Sequence, residues 1–571
     1  MEQKLIQAFI QGAERVAAWA DLLDAINVFP VADGDTGRNL KISLAPLRDL
    51  AAGHDATIHR ILINARGNSG NIAARFFSGL LTAQAPELVP AAARLGRDRA
   101  WEAVHDPLPG TMLTLFDALA DALDGTDFTG TADQASGIIE ALEQSVRSTP
   151  DLLPKLRDAG VVDSGALAMY IYCEGFFHSL AEQPHPAKPV TAIFRDLLRV
   201  RPSFNIGIEN GYCVDIALNA PAHHEDTARV LAGLGESVVI IPGDDCLKVH
   251  LHTDNTAAVR EKVESLGTIV RWSDDNLGEQ LREFRRPGDD TAIHIMTDAA
   301  GSVTREDARR LSMTLLDSYI IIEETSAPET CVDPESVYAS MRRGLKASTS
   351  QASIFERHEL YRRVTAQYAR VLYLCVGSAF TGNYDAAMRW KAEHDPDGAL
   401  TVIDTGAASG RLGMIALSTA NRSRGTGDPD EVEGFARAAV GACREYIFID
   451  NLKYLAAGGR ISRTKAFFGN MLSMRPVVSP TAEGVVRAGV AKTLEEQIDF
   501  AMEKLRQEAP SGTRPVIMLQ HTDNRALVDG RIYPVIKQLY PDSEILLQPL
   551  SLTTGVHTGP GTWSLAFLPE S

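Results

Sequence analysis

Cysteine is scarce in this chain: six residues, widely scattered, among 571. That excludes a disulfide framework and predicts reduced thiols in the cytoplasm. Long apolar runs are missing too. None approaches the ~18 residues that span a bilayer, so no stable membrane insertion is expected. The opening Met1-Glu2-Gln3-Lys4-Leu5 has no basic segment leading into an apolar core, so no secretion signal is expected. Basic residues are in deficit: 56 Lys and Arg against 74 Asp and Glu leave a net charge of −18. Nucleic-acid binding, which depends on neutralising phosphates, is therefore not expected. Short-period repeats and low-complexity tracts are absent. With 45% apolar and 23% charged residues the chain has a globular composition. Its length exceeds one ordinary core, which predicts three or four domains.

Up to about residue 180 the pattern is helical: Leu5, Phe9, Val16, Trp19 and Leu23 recur at helical spacing, and Leu113–Leu123 and Gly165–Leu180 continue it. The proline-rich Gln183–Pro189 marks a boundary. Short strands follow, clearest at Tyr212–Leu218, Ser237–Ile241 and Leu247–Leu251. Arg285–Asp290 marks a second boundary. Beyond it, strands at Ala292–Asp298, Val371–Val376, Leu400–Asp404 and Pro515–Gln520 alternate with longer helices, which predicts α/β structure with largely parallel sheets.

The most informative stretch is Asn27-Val-Phe-Pro-Val-Ala-Asp33-Gly34-Asp35-Thr36-Gly37. Mg²⁺ takes oxygen ligands, and nucleotide sites hold it with one or two carboxylates plus phosphates, which Asp33 and Asp35 can supply. Asp and Gly are also ordinary turn formers, so the pair alone leaves both readings open. Ala65-Arg66-Gly67-Asn68-Ser69-Gly70-Asn71 precedes a helical run, whose free N–H groups suit phosphate as well as an N-capping loop. Pro109–Met112 and Asp158–Gly165 are further glycine-bearing turns before helices.

Together these four segments resemble the DhaL-type kinase domain of dihydroxyacetone kinases and of the bacterial fatty acid kinase FakA, over residues 1–185. The resemblance implies an all-α eight-helix barrel holding ATP and two Mg²⁺ at one end. It implies Asp33 and Asp35 as metal ligands, with Asn27 near the place of a third. Ser69 and Gly70 carry over as phosphate contacts, and Gly110, Thr111 and Asp163 carry over to the nucleotide pocket. The chain departs from the FakA-like pattern at Ala32 and at Arg38, which would either touch a phosphate or narrow the site.

In Lys248-Val-His250-Leu-His252-Thr253 the two histidines share one face of a strand, and Cys213 on a neighbouring strand can complete three zinc ligands. Spacing alone leaves open zinc ligands or strand histidines with ordinary hydrogen bonds. Residues 195–287 also resemble the small α+β middle domain of FakA, including Asp244-Asp245 before the histidine strand; this implies a zinc-type site at Cys213, His250 and His252. Cys246 is the alternative thiol, outside the matched position.

Residues 291–571 resemble the two-lobed α/β DegV family, called FakB when paired with FakA. The resemblance rests on Thr297-Asp298, Thr349-Ser350-Gln351, Gly377–Tyr384, Leu452–Ile461 with its Gly458-Gly459-Arg460-Ile461, and His557-Thr-Gly-Pro-Gly561. It implies a fatty acid in an apolar tunnel, where each buried CH₂ contributes about 0.8 kcal/mol. The carboxylate needs partners when buried: Thr349, Ser350 and Thr381 offer hydroxyls, Arg460 and His557 positive charge.

The combined expectation is a multidomain kinase fused to its acyl carrier, forming acyl phosphate from a bound fatty acid and ATP. Asp33, Asp35, Arg460 and His557 are the expected catalytic groups. A homodimer is expected, and an acyltransferase that consumes acyl phosphate as partner. Two alternatives stand beside it: a lipid carrier or sensor with a regulatory or inactive kinase half, and a kinase of a small dihydroxyacetone-like substrate.

Overall fold

The computed structural model describes residues 1–125, 128–183, 189–204, 211–219, 224–242, 247–277, 291–323, 325–457, 474–510 and 512–570. Both sequence-predicted boundary segments fall largely or wholly outside them, as do Asp244, Asp245, Cys246 and the Gly458–Ile461 segment with Arg460. The chain divides into two units, Met1–Arg286 and Pro287–Ser571. No helix among the described residues is long and apolar enough to cross a membrane.

The first unit begins with nine α-helices among the described residues: α1 (Gln3–Ala25), α2 (Thr36–Leu44), α3 (His54–Asn64), α4 (Gly67–Leu80), α5 (Val89–Ala103), α6 (Met112–Leu123), α7 (Ala132–Leu152), α8 (Pro154–Ala159) and α9 (Ser164–Leu180). Neighbours run α1–α2–α4–α5–α6–α7–α9 and back to α1, closing a barrel. Helix α9 is apolar on nearly every face, which only an interior position satisfies, and Leu167, Tyr170, Tyr172, Phe176 and Phe177 are all buried. Its one carboxylate, Glu174, meets Arg15 of α1 at 2.5 Å in the interior. The sequence-predicted motifs fall at helix starts and in the turns that lead into them.

A four-stranded antiparallel sheet follows, in the order β2-β3-β1-β4, built from β1 (Tyr212–Asn219), β2 (Glu236–Pro242), β3 (Leu247–Thr253) and β4 (Thr268–Asn276). Alternation sorts its faces. Val214, Ile216, Leu218, Val249 and Leu251 pack into a core with Val259 and Val263 of the helix Thr256–Leu266. The residues between them, Cys213 and Asp215 on β1 and Lys248, His250 and His252 on β3, therefore share the opposite face. That face meets the helical barrel. Lys248 Nζ donates to the carbonyls of Leu62 (3.4 Å), Ile63 (3.1 Å) and Ala65, a cation at the end of α3 where the helix dipole favours one.

Among the described residues the second unit holds three sheets. The first, β11-β10-β5-β6, is parallel and comprises β5 (His294–Asp298), β6 (Thr314–Leu316), β10 (Val371–Cys375) and β11 (Leu400–Asp404). The second, β8-β7-β9, is antiparallel: β7 (Ser318–Ile322), β8 (Thr325–Pro328) and β9 (Ala347–Gln351). The third, β14-β13-β12-β17-β15-β16, comprises β12 (Arg444–Phe448), β13 (Arg475–Thr481), β14 (Gly484–Ala491), β15 (Val516–His521), β16 (Ile545–Pro549) and β17 (Trp563–Leu568). Only its β15–β16 pair is parallel. The expectation of largely parallel sheets thus holds for the first sheet and fails for the other two. Short links such as Ala482-Glu483 between β13 and β14 permit only antiparallel return. The helix Ser409–Gly425 packs on both the first and third sheets, its Leu412, Met414 and Ile415 buried with Ile295, Leu374, Met518 and Ala566.

Candidate functional site

A cavity of about 370 Å³ lies in the first unit, lined by the barrel's inter-helix turns and by the polar face of the sheet. Asp33, Asp35, Ser69, Thr111, Asp163, Cys213, His250 and His252 all reach it, along with Asn27. Residues drawn from segments up to 225 positions apart by number thus share one chamber.

At one side, burial and then repulsion from Asp35 push the Asp33 carboxyl well above the usual carboxylate range. Two crowded carboxylates in a buried setting are the donor set that suits a hard divalent cation. Asn27 Nδ2 donates to Asp33 Oδ1 at 2.5 Å, and Asn27 Oδ1 accepts from Ser164 Oγ at 3.2 Å, so this amide orients Asp33. Arg38 Nη2 lies 3.7 Å from Asp35 Oδ2, placing its charge on the acidic pair.

Helix α4 starts at Gly67, whose φ of +62° is open to glycine and whose added Cβ would meet Asn39 Nδ2 at 2.1 Å. The turn presents Ser69, 91% buried, whose Oγ has no hydrogen-bond partner among the described residues. A buried hydroxyl left so beside a cavity fits a ligand oxygen. Gly70 does not line the chamber; a Cβ there would sit 2.2 Å from Ser43 Oγ, so it sets the α2–α4 approach. Gly110, at φ +90°, likewise shapes its turn against Leu152 and Leu153. Thr111 caps α6 by accepting from Leu113 N at 3.3 Å. Asp163 caps α9, accepting from Ala166 N at 2.7 Å, and burial lifts its carboxyl to about 7.

Across the chamber, strand register pairs Cys213 with His252 and Asp215 with His250. Cys213 Sγ is 3.8 Å from His250 Nε2, which lies 3.4 Å from His252 Nε2. One ligand atom from each of the three lies within 4.8 Å of the others. His250 Nδ1 is engaged by Asp215 Oδ1 at 3.1 Å, which leaves Nε2 free to converge with the other two donors. Burial and the neighbouring His250 pull the His252 imidazole down to about 3, its neutral, ligating form. Thiol and imidazole donors so gathered fit zinc. Burial, followed by Asp215, Asp35 and Asp33, pushes the Cys213 thiol up.

Asp215 escaped sequence reasoning. Its Oδ2 accepts from Gly67 N at 3.3 Å, and its Oδ1 accepts from Asn71 Nδ2 at 3.4 Å. Only its period-two spacing from Cys213, on the face shared with the histidines, signals it.

In the second unit, β9 and the helix Leu552–Thr558 bring Thr349 and His557 together, Oγ1 to Nε2 at 3.1 Å. Gly559 follows at φ +88°, where an added Cβ would strike the Tyr454 ring at 2.1 Å. Ser350 is the next residue of β9, opposite Tyr319. Thr381 Oγ1 accepts from Asn383 N at 3.3 Å, at the start of the helix Asn383–His394. Sequence reasoning also missed Arg357. Only 6% exposed, it donates to Gln351 Oε1 (3.4 Å), Ser353 O (3.3 Å) and Asn383 Oδ1 (2.8 Å), tying the end of β9 to the Thr381 loop.

The DAK2 domain model matches residues 30–178, the FakA-like middle-domain model, named for a fatty acid kinase, matches 209–284, and the DegV family model matches 292–570. Three known modules share this chain. An uncharacterized protein of Staphylococcus haemolyticus is 32% identical over 305 residues, covering 48% of this chain and 55% of its own. Protein YloV of Bacillus subtilis is 30% identical over 306 residues, with the same two shares, 48% and 55%. The chain therefore spans little more than half the length of these relatives. Over the DegV module, a fatty-acid-binding DegV family protein from Thermus thermophilus has 23% identity and a TM-score of 0.45, covering 49% of this chain and 99% of its own. DegV of Bacillus subtilis, a fatty acid binding protein, has 22% identity and a TM-score of 0.45, covering 49% and 100%.

Proposed function

We propose that this chain is a fatty acid kinase with its acyl carrier fused to it, with modules at residues 1–185, 195–287 and 291–571. The observation that carries this reading is the shared chamber: a carboxylate pair, an unsatisfied phosphate-loop hydroxyl and a Cys/His cluster around one cavity. The DAK2 and middle-domain matches support a kinase, and the name of the latter supports a fatty acid as acceptor.

In this reading ATP binds with its phosphates at the Gly67–Ser69 turn. Asp33 and Asp35 hold Mg²⁺, with Asn27 fixing Asp33, and Cys213, His250 and His252 hold Zn²⁺. These cations would supply charge neutralisation for polyphosphate and acceptor. Thr349, Ser350, Thr381 and His557 orient the acyl carboxylate, and Arg460 adds positive charge. A carboxylate with a pKa near ~4–5 is already ionised at neutral pH, so no side chain must remove a proton. One carboxylate oxygen forms the new bond to the γ-phosphorus while the bond to the β–γ bridging oxygen breaks, giving acyl phosphate and ADP. An acyltransferase that consumes acyl phosphate would follow. A covalent link between donor and acceptor modules raises local acceptor concentration.

The test is purified protein incubated with ATP, Mg²⁺ and hydroxylamine, with copurified lipid identified by mass spectrometry. Copurified fatty acid and acyl hydroxamate are expected, and Asp33→Ala or Asp35→Ala should lower the rate on the order of 100-fold or more. An empty acyl site together with phosphorylation of trioses would sink the proposal.

A further inference from the structure

One side chain bridges the Cys/His cluster and the start of α4. Asp215 holds His250 Nδ1 with Oδ1 at 3.1 Å while Oδ2 takes the Gly67 N–H at 3.3 Å, at the first residue of α4. Asn71, one turn into the same helix, adds its Nδ2 at 3.4 Å and also donates to Gly67 O at 2.8 Å. A single carboxylate is thus shared between a residue of the Cys/His cluster and the turn that presents Ser69.

We propose that Asp215 is a positioning residue that couples metal binding at Cys213, His250 and His252 to nucleotide binding at the Gly67–Ser69 turn. This rests on the reading that the cluster takes a metal and the turn takes phosphate.

Geometry and charge give the coupling its sign. A helix N-terminus attracts anions, and here a protein carboxylate already stands at it. A phosphate arriving beside Ser69 meets that negative charge. A divalent cation on His250 offsets the carboxylate through the imidazole between them, and the repulsion falls. Metal and nucleotide therefore strengthen each other's binding. Because linkage is reciprocal, each must raise the other's affinity by the same factor, on the order of tenfold for a coupling of ordinary size. The Nδ1 contact also fixes which imidazole nitrogen faces the other donors, so loss of Asp215 should weaken metal binding about 10–100-fold.

The experiment measures ADP–Mg²⁺ affinity of the full chain by calorimetry, chelated and Zn²⁺-loaded, in wild type, Asp215→Asn and Asn71→Ala. Zn²⁺ affinity is read by chelator competition with and without ADP, and the Co²⁺-substituted spectrum reports the donor set. The wild type should bind ADP on the order of tenfold tighter when loaded, and Zn²⁺ tighter by the same factor with ADP. Asp215→Asn keeps the side-chain shape and an acceptor for Gly67 N–H while removing the charge. It should bind ADP more tightly than wild type when both are metal-free, and show a clearly smaller coupling ratio. Asn71→Ala touches the same carboxylate from the helix side; it should reduce the ratio while leaving the Co²⁺ spectrum unchanged. An unchanged ratio in Asp215→Asn, or independent binding in the wild type, overturns the coupling and leaves the nucleotide reading standing. Failure of the wild type to bind ADP at all overturns both.

Discussion

Ser69 makes no hydrogen bond through its hydroxyl to any described residue, although its side chain is buried. Folding therefore gains nothing from that group, and Ser69→Ala should leave stability unchanged or raise it in urea denaturation. Nucleotide affinity should fall roughly tenfold by calorimetry, the loss of one charge-assisted hydrogen bond. Equal loss of stability and affinity would contradict the role given to it. Ser69, Asp33 and Asp35 were legible because motif residues adjoin in sequence. Asp215 was not, because its partners at Gly67 and His250 come from strand register and from sheet–helix packing, neither of which local spacing encodes. Arg357 was hidden for a similar reason: helical spacing within Ile354–Gln367 does not show that it reaches Asn383. Gly70 and Gly110, expected as ligand contacts, stand where a Cβ would collide with neighbouring side chains.

Helices α1 and α9 pack against each other in the barrel, and they enclose Arg15 and Glu174, each side chain 2% exposed. Removing one partner takes from the other the counter-charge 2.5 Å away in the interior. Glu174→Ala should therefore cost about 3–5 kcal/mol, read from the urea midpoint. A change below about 1 kcal/mol would show that other neighbours compensate. The helical period of its apolar residues announced α1, and the length of its apolar run announced α9. Strand β4 was not foreseen. Its Thr268-Ile-Val-Arg-Trp-Ser-Asp-Asp-Asn276 run lies at the sheet edge and is largely exposed or half-buried, so no clean alternation marks it. The antiparallel pairings of the third sheet of the second unit were also illegible, because strand direction is decided by connections rather than by the strands' own composition.

Across the molecule, acidity is not confined to the surface. In the second unit burial lifts Asp298 to about 6 and both Glu329 and Glu445 to about 7, despite donors such as Val376 N, Thr553 N and Arg411 N that pull the other way. Each is raised above its ordinary value of 3.8 or 4.5. The folded chain thus keeps protons that the unfolded chain has released, so this contribution to stability is full at low pH and is lost as pH rises through about 6 to 7. Urea denaturation of the whole chain at pH 5.5 and 8 should find it less stable at pH 8, and Glu445→Gln should flatten the difference. Equal slopes in wild type and variant would contradict the assignment. The contact between Asp215 and the Gly67 amide spans 148 positions of sequence. In hereditary terms the barrel and the sheet are not free to drift apart: a codon change at 215 alters the electrostatics of a helix start written far upstream, so an exchange of either segment with a relative must carry both ends of that contact or rebuild it.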